Sequence, residues 1–515
     1  MTNILYTSTD FKHFISTLFK FSFIFLSVFS SYNSFSQQKT KISYEADILK
    51  AHEFDKNINV LLGNVIFNHE GALLFCDSAY FYTAENKIEA FSNVRIKVSD
   101  TLNIYGKKLR YDGNTKVAEI FENVKLVDEQ TTLTTNYLNY DRNTSIASYI
   151  DNGKIVNKEN VLTSKLGYYY TNKKQFFFKK DVLLVNPKYT IQSDTLLYNT
   201  KSEIAYFLGP TDIVSKENKI YCENGWYNTK SDKSQFSKNS WLQTENQYMK
   251  GDSMYYDRKN KFGKAYNNVV LIDTAKNVIL QGNYIENDEI IKKSMITDSA
   301  MAILIDDKDT LFLHADTLRA TYDSTDNIRL LKAYYKVKFY RSDIQGMCDS
   351  LSFFMTDSLM SMYHLPVLWT DNNQLTADTI HLLTGKNTMK EMFLNVNAFI
   401  ISLSDTGQFN QVKGKYIHGF FAENQLYKVD VKGNSETIYY LKEDNSDDLI
   451  GINKAVSSDL LIFINKKQFE TITFITSPEG TLYPVNELPV SERILKNFKW
   501  QDKNRPKEKN DVFKW

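Results

Sequence analysis

Apolar and polar residues alternate strictly in short stretches along most of the chain. Val94, Ile96 and Val98, for example, are separated by Arg95 and Lys97. A period of two predicts strands with one buried face, whereas the three-to-four-residue spacing of an amphipathic helix is absent. Asp-Gly and Asn-Thr pairs follow many of these stretches and predict tight hairpin connections.

The alternating stretches recur at a nearly constant interval. Residues 109–115, LRYDGNT, and residues 138–144, LNYDRNT, are two clear copies. The residue before each polar turn marks thirteen units: Phe54, Tyr82, Tyr111, Tyr140, Tyr170, Tyr198, Tyr227, Tyr256, Ile285, Tyr322, Phe354, Leu383 and Phe421. The interval stays close to 29 residues as far as Ile285 and lengthens later. Units of equal length that cannot bury their own apolar face must stack, which predicts an all-β, elongated jelly roll or β-taco solenoid of about thirteen 29-residue units.

A second marker, Asn-Val or Asp-Val, follows the first by 10 to 13 residues in several units, as at Asn93-Val94. The apolar residues from this point onward are expected to face the interior, and they are the candidates for the lining of a groove: Val65, Phe67, Val94, Ile96, Val124, Leu126, Val182, Leu184, Val269, Leu271, Val337 and Phe339. They form a packed core if the two walls of the solenoid meet, and an apolar groove if the walls splay. Periodicity alone leaves both alternatives open.

Composition and charge exclude some classes of protein. Of 515 residues, 42% are hydrophobic and 14% aromatic, enough for a large core. The 62 Lys and Arg residues nearly balance the 61 Asp and Glu residues, so the chain lacks the strong positive field of a nucleic-acid-binding protein.

The N-terminus resembles an export signal. Lys12 and Lys20 precede the apolar run of residues 21–29, and small residues at Ser34 and Ser36 follow. This order predicts a secretory signal peptide over residues 1–36, with an uncleaved signal anchor as the alternative.

Possible catalytic residues are repeated along the chain and do not form one cluster. Six aspartates occupy one position of six different units: Asp77, Asp194, Asp252, Asp316, Asp349 and Asp378. This repetition predicts a structural role, as acceptors of backbone or hydroxyl hydrogen bonds at a strand edge or corner. The histidines lack metal-ligand spacing, and no nucleotide or nucleophile motif occurs, so we expect no enzyme, no cofactor and no metal.

The three cysteines, Cys76, Cys222 and Cys348, lie at matching positions of distant units. Several strand spacings of ~4.8 Å place them too far apart for an intrachain disulfide. We therefore expect them to be buried in the sheet, with one intermolecular link as the alternative.

The repeat stops before the C-terminus. Residues 436–515 are predicted to form a C-terminal capping segment, whose last twenty residues combine seven Lys and Arg with Phe498, Trp500, Phe513 and Trp515. This basic aromatic tail either folds over the last rung as a cap or docks a partner protein or anionic lipid head groups.

The repeated units behind a secretory signal resemble the OstA/LptA family of periplasmic lipopolysaccharide-transport proteins. The matching motifs are residues 251–257, GDSMYYD, with residues 265–269 behind them, and Gly63-Asn64-Val65. The resemblance extends over about residues 37–435, as one array or as two consecutive arrays over residues 37–290 and 291–435. This chain is much longer than the family's common bridge component.

The resemblance implies a V-shaped jelly roll in the periplasm, or associated with the outer membrane, whose apolar groove carries the acyl chains of lipopolysaccharide or a related glycolipid. It implies as partners the other lipopolysaccharide-transport components of both membranes, and end-to-end self-association; nucleic acid is not expected. Two other functions remain open: a structural or adhesive solenoid with a closed core, and a carbohydrate-active solenoid with a carboxylate cluster in the insertions after Ile285 and Leu383.

Overall fold

A computed structural model describes residues 40–515 except 306–308, 326, 386–387, 405–406, 424, 444–447 and 466–467. The predicted signal peptide lies outside the described residues. No helix of the described part is long and apolar enough to cross a membrane.

About seven in ten of the described residues belong to antiparallel strands of one sheet, as the alternation predicts. The first half of the array contains β1 Ser43–Glu45, β2 Ile48–Ala51, β3 Ile58–His69, β4 Ala72–Tyr82, β5 Lys87–Lys97, β6 Leu102–Asp112, β7 Val117–Asp128, β8 Thr131–Asp141, β9 Ile146–Tyr149, β10 Gly153–Asn157, β11 Asn160–Ser164, β12 Leu166–Tyr170, β13 Gln175–Asn186, β14 Tyr189–Asn199, β15 Ile204–Phe207, β16 Thr211–Ser215, β17 Lys219–Cys222 and β18 Asn224–Asn228.

The second half contains β19 Lys233–Gln243, β20 Gln247–Asp257, β21 Phe262–Asp273, β22 Val278–Asp288, β23 Lys293–Ile305, β24 Thr310–Tyr322, β25 Ile328–Tyr340, β26 Ile344–Phe354, β27 Leu359–Tyr363, β28 Val367–Thr370, β29 Asn373–Thr376, β30 Thr379–Thr384, β31 Met389–Leu403, β32 Phe409–Ala422, β33 Gln425–Lys442, β34 Leu449–Asn465, β35 Gln468–Ile475 and β36 Glu479–Tyr483. Short 3-10 helices follow at Val490–Glu492, Asp502–Asn504 and Lys509–Phe513.

Alternate long strands carry a bulge near their middle. In β5, Ser92 and Asn93 both have positive φ, 59° and 46°, and the pairing with β4 and β6 shifts at this point. The same left-handed pair recurs in β3, β7, β13, β19, β21, β23, β31 and β33. Such a bulge folds the strand sharply. The bulges line up as a crease that divides the sheet into two facing walls.

The crease explains why two sequence markers keep one interval. The amide of Asn93, in the second marker, donates to the Asp77 carboxylate of the preceding strand at 2.8 Å. Equivalent Asn-to-acid bonds join Asn64 to Asp47, Asn239 to Glu223, Asn268 to Asp252 and Asn397 to Asp378. A structural role is confirmed for Asp77, Asp252 and Asp378, but their donors are side-chain amides and not the predicted backbone or hydroxyl groups.

Two rims lie opposite the crease. The hairpins after the aromatic markers, such as residues 113–116 and 142–145, form what we call the tyrosine rim; those at residues 70–71, 129–130 and 158–159 form the opposite rim. The wall between the crease and each rim takes that rim's name. Apolar side chains of both walls form one core cluster that extends from Ile42 to Ile462.

The array continues without a break beyond the boundaries expected from the sequence. Strands β22 and β23 pair across positions 290 and 291, so the described residues form one array there. The boundary expected at residue 435 falls inside β33, and the sheet extends to Tyr483.

The C-terminal tail, here all the residues after β36, covers the outer face of the opposite wall. Three outward-facing glutamines, Gln345, Gln374 and Gln411, are at most 3% exposed beneath it. They bind the tail through these bonds: Gln411 Nε2 to the Arg493 carbonyl at 2.9 Å, Leu495 N to Gln411 Oε1 at 2.9 Å, Gln374 Nε2 to the Lys499 carbonyl at 2.7 Å, Gln501 N to Gln374 Oε1 at 2.6 Å, and Arg505 Nε to Gln345 Oε1 at 2.8 Å.

The tail lies there because the wall beneath it is apolar on its outer face as well. Phe399, Ile401 and Ile438 face outward and are buried under Leu488 and Leu495. Trp500 packs against Phe409, and Phe513 packs against His314. The tail is thus a strap along a wall, in a different place from the last rung where a cap was expected.

Candidate functional site

The interior between the two walls contains all twelve residues predicted to line a groove. Eleven of them are buried, and Leu271 is half-buried. The valines at positions 65, 94, 124, 182, 269 and 337 lie beside the crease, and the other six lie two residues further along the opposite wall.

These residues belong to a continuous apolar ladder on the opposite wall. Cross-strand pairing joins Phe67, Leu74, Ile96, Ile104, Leu126, Leu133, Ile155, Leu162, Leu184, Ile191, Ile213, Ile220, Leu242, Met249, Leu271 and Leu280 in that order. Ala302, Leu313 and Phe339 continue it. No polar residue interrupts these nineteen rungs.

The sequence analysis missed the matching face of the tyrosine wall. Ile120, Leu138, Phe178, Leu196 and Phe207 are fully buried there. Alternation before the Asn-Val marker, as in Ala118 and Ile120, is a signal that could have identified them. The interior is therefore lined from both sides.

A row of tyrosines faces inward where the tyrosine wall meets its rim. Tyr140 pairs with Ala118 on one side and with Ala147 on the other. The row continues through Tyr169, Tyr198, Tyr227 and Tyr256, with Phe176 between the first two and the small residues Ala205, Ser234 and Gly263 after the later tyrosines. Beside small residues a ring has room to lie across the mouth, the gap between the rims.

At the N-terminal end, the tyrosine row contacts the opposite rim through Tyr111. The His69 ring, on the opposite rim, shares a 2.7 Å hydrogen bond with the Tyr111 hydroxyl. Arg142 donates to this hydroxyl at 3.1 Å and to the His69 carbonyl at 3.0 Å. Burial lowers the pKa of His69 and raises that of Tyr111, so both groups are neutral at pH 7.

A second contact across the mouth is a buried ion pair. The Tyr169 hydroxyl donates to the Asp128 carboxylate at 2.5 Å, and the Lys174 ammonium lies 2.7 Å from the same carboxylate. Burial, followed by this hydrogen bond, raises the pKa of Tyr169. Further along, the rings of Tyr189 and Tyr227 meet edge to face at 5.7 Å. We call these cross-rim contacts latches.

Behind the latches the interior is densely packed. The cavity beside Phe67, Leu74, Ile88 and Ile96 holds only about 20 Å³, room for a single water molecule. In this conformation the protein's own side chains fill the space between the walls at this end.

The ladder becomes accessible in the middle of the chain. Ile220, Leu242, Met249, Leu271 and Leu280 are consecutive rungs, and all five are half-buried. Four strand spacings of ~4.8 Å make this stretch ~19 Å long. It is an apolar strip open to water from one side.

The remaining candidates for chemistry have structural surroundings. Cys76, Cys222 and Cys348 are free and buried, as predicted, and burial raises each thiol pKa to about 12. His381 and His418 hydrogen-bond to Ser361 and Glu391. Within the described ranges, no three His, Cys, Asp or Glu side chains are placed to share a metal ion.

Comparison with known proteins gives a family match and similar solved structures. Residues 38–194 and 192–252 match the family model described as OstA-like protein. A solved structure that is similar at 14% identity is LptH of Pseudomonas aeruginosa, the LptA-homologous periplasmic component of the lipopolysaccharide transport device; the match has a TM-score of 0.19 and covers 20% of this chain and 79% of that one. No curated protein sequence matches the chain.

Proposed function

We propose that this chain, whose residues 38–252 are OstA-like as the repeats indicate, is a non-enzymatic periplasmic carrier of lipopolysaccharide or a related glycolipid. The observation that carries the proposal is the unbroken apolar ladder of the opposite wall. Acyl chains would lie along this ladder, while the sugar head group stays in water at the rims.

The energetics favour passive movement. Each buried methylene of an acyl chain contributes ~0.8 kcal/mol, and successive rungs offer nearly the same surface. A tail that advances by one rung therefore exchanges one apolar environment for a similar one. Transport toward the outer membrane would be driven by loading at one end, with other lipopolysaccharide-transport components as partners and end-to-end copies extending the path.

A packed interior sets a condition on this mechanism. Where the latches are closed, a lipid tail must displace side chains or separate the walls. Bound lipid should therefore be found first along the half-buried strip that contains Leu271.

Photocrosslinking tests the proposal directly. Benzoylphenylalanine at Leu271 faces the interior, and at Val270, its half-buried neighbour, it faces outward. After native purification from a lipopolysaccharide-producing host, we expect a lipid adduct at Leu271 and none at Val270, together with extractable glycolipid by mass spectrometry. Lipid-free protein without an adduct at Leu271 would contradict the proposal.

The second candidate function is a structural or adhesive solenoid with a closed core. Dense packing beside Phe67 and Leu74 favours it. This function requires no ligand, so the absence of both extractable lipid and crosslinks would support it over the carrier.

A further inference from the structure

The tyrosine rim changes character at one hairpin. Ile290 and Ile291 form the tip between β22 and β23, and they are 63% and 59% exposed. Other tips of this rim are polar, for example Asn143 and Lys201. Two adjacent isoleucines held out in water at a turn are costly unless they contact something apolar.

The tyrosine row ends at the same place. Gly263 pairs with Asn287, which pairs with Ser294. By register Asn287 is the successor of Tyr227 and Tyr256, yet it is an exposed amide. No aromatic ring extends from this position, although the Tyr322 ring of β24 lies beside it, with its hydroxyl 2.7 Å from Ser294 Oγ and its centroid 5.5 Å from the Lys276 ammonium of the opposite rim.

The opposite rim changes as well. Over strands β7 to β21 most of its inward-facing residues are polar, such as Asp128, Thr131 and Asn157, all buried, whereas Leu102 before them is apolar. Beside the Ile290–Ile291 tip they are Val278 and Leu304, which are paired with each other and half-buried. The adjacent Ile305 is 45% exposed.

The apolar tip, the missing tyrosine and the apolar opposite rim all occur where the ladder is half-buried, at Leu271 and Leu280. We propose that the mouth between the Ile290–Ile291 tip and the Val278–Leu304 pair is a side port through which the hydrocarbon tails of an amphiphile enter or leave the interior. The inference rests on the proposed carrier function and adds a place of exchange between the two ends of the array.

The side chains on the rims explain why a hydrocarbon tail would enter at this place and not upstream. A tail that entered upstream would have to pass the charged Asp128–Lys174 pair and break its contacts with Tyr169. A tail that enters at the port has to displace the Tyr322 ring from Lys276, whose exposed ammonium stays in water, and then meets the apolar side chains of Val278, Leu304 and the ladder. The port lies beyond residue 252, where the OstA-like match ends.

Restoring the missing tyrosine should close the port. Asn287→Tyr places a ring between Gly263 and Ser294, small neighbours like those of Tyr140, so the variant has room to fold. Glu286→Tyr, one residue away and facing outward, is the matched control. A second pair tests the tip: Ile290→Ser with Ile291→Ser, against Ile150→Ser, an isoleucine of similar exposure, 65%, beside the crease.

The full chain carries benzoylphenylalanine at Leu280, in the port, or at Leu126, deep behind the latches. Vesicles of phosphatidylethanolamine and lipopolysaccharide are the probe, and adducts are counted over time. We expect adducts at Leu280 before Leu126, and loading at both positions at least five-fold slower in Asn287→Tyr and in the tip variant, but not in either control.

Wild-type rates in both port variants, with adducts at Leu126 still forming, would overturn the port and leave the carrier function intact. Adducts that appear at Leu126 before Leu280 would overturn it in the same way. An absence of adducts at every interior position of the wild type would instead overturn the carrier function, and the port with it.

Discussion

Two stretches of one sheet differ at the mouth and agree at the crease. From Tyr111 to Tyr198 an inward tyrosine row lies along the mouth, Tyr111 and Tyr169 are latched to the opposite rim, and the ladder behind the row is buried. Around Asn287 the row is interrupted, the rim is apolar and the ladder is half-buried. Both stretches keep the same Asn-to-acid bonds at the crease. The crease therefore forms the fold throughout, whereas the exposure of the ladder begins at Ile220, where the tyrosine row still continues, and so depends on more than this row.

The largest expected loss of stability comes from a substitution that breaks a latch. Tyr169→Ala removes a fully buried ring stacked on Phe176 at 4.0 Å and should cost ~3–5 kcal/mol of local stability. Tyr256→Ala, at the corresponding but half-buried position, should cost ~1 kcal/mol. Hydrogen exchange resolves the two regions, because a stacked array need not unfold in one step.

Tyr169→Phe separates the ring from its hydroxyl. It keeps the stacking and removes one hydrogen bond to Asp128, so a loss of ~1–2 kcal/mol is expected. Equal losses at Tyr169→Ala and Tyr256→Ala would contradict the contrast between the two stretches.

A smaller effect should be the same in both stretches. Asn93→Ala and Asn268→Ala each remove a crease hydrogen bond and place alanine at positive φ, 46° and 52°, at a cost of ~1–2 kcal/mol. Glycine at either position retains the backbone conformation and should recover part of the loss. Thermal unfolding would contradict a shared crease if only one of the two alanine variants were destabilised.

The smallest effect is a pH dependence confined to the latched stretch. Because burial holds the pKa of His69 below its ordinary 6.5, the unfolded chain binds the proton more tightly. Stability is thus fully present above pH 6.5 and is lost as the pH falls from 6.5 through the lowered pKa. Its charged neighbours are Glu70, Arg142 and Lys116, and Glu70 stays ionised in this window, since hydrogen bonds from Lys116 and Thr40 lower its pKa to about 2.

Exchange at the amides of residues 69–72 and 105–111 should accelerate between pH 7 and pH 5, after correction for the intrinsic rate. Residues 247–305 contain no histidine and should show no such change. His69→Gln should abolish the dependence at the latch; if it persists in that variant, another group is responsible.

Most of the fold can be predicted from the sequence because each unit repeats the same local pattern of residues. Alternation predicts the strands, and the Asp-Gly and Asn-Thr pairs predict the hairpins. The crease bond joins Asn93 and Asp77, two residues whose repeated spacing is visible in the sequence. The twelve predicted interior residues are placed inside for the same reason. Whether lipid contacts them remains a prediction.

Register was harder to predict, because a marker can move by one or two residues while the count stays regular. Tyr169, and not Tyr170, faces inward, and the successor of Tyr256 is Asn287, two residues beyond the marker Ile285. A shift of one residue exchanges the two faces of a strand, so side-chain orientation requires the cross-strand pairs.

What the sequence determined by itself is the repeating bent strand with an apolar inner face, since every interaction that specifies it lies within about thirty residues. What only the tertiary structure decided is which residues meet across the mouth: His69 with Tyr111 and Tyr169 with Asp128 lie 42 and 41 residues apart and have no shared motif. The path of the tail over Gln345, Gln374 and Gln411 is equally non-local. Such contacts depend on the distance between the two walls, which a pattern along the chain does not specify.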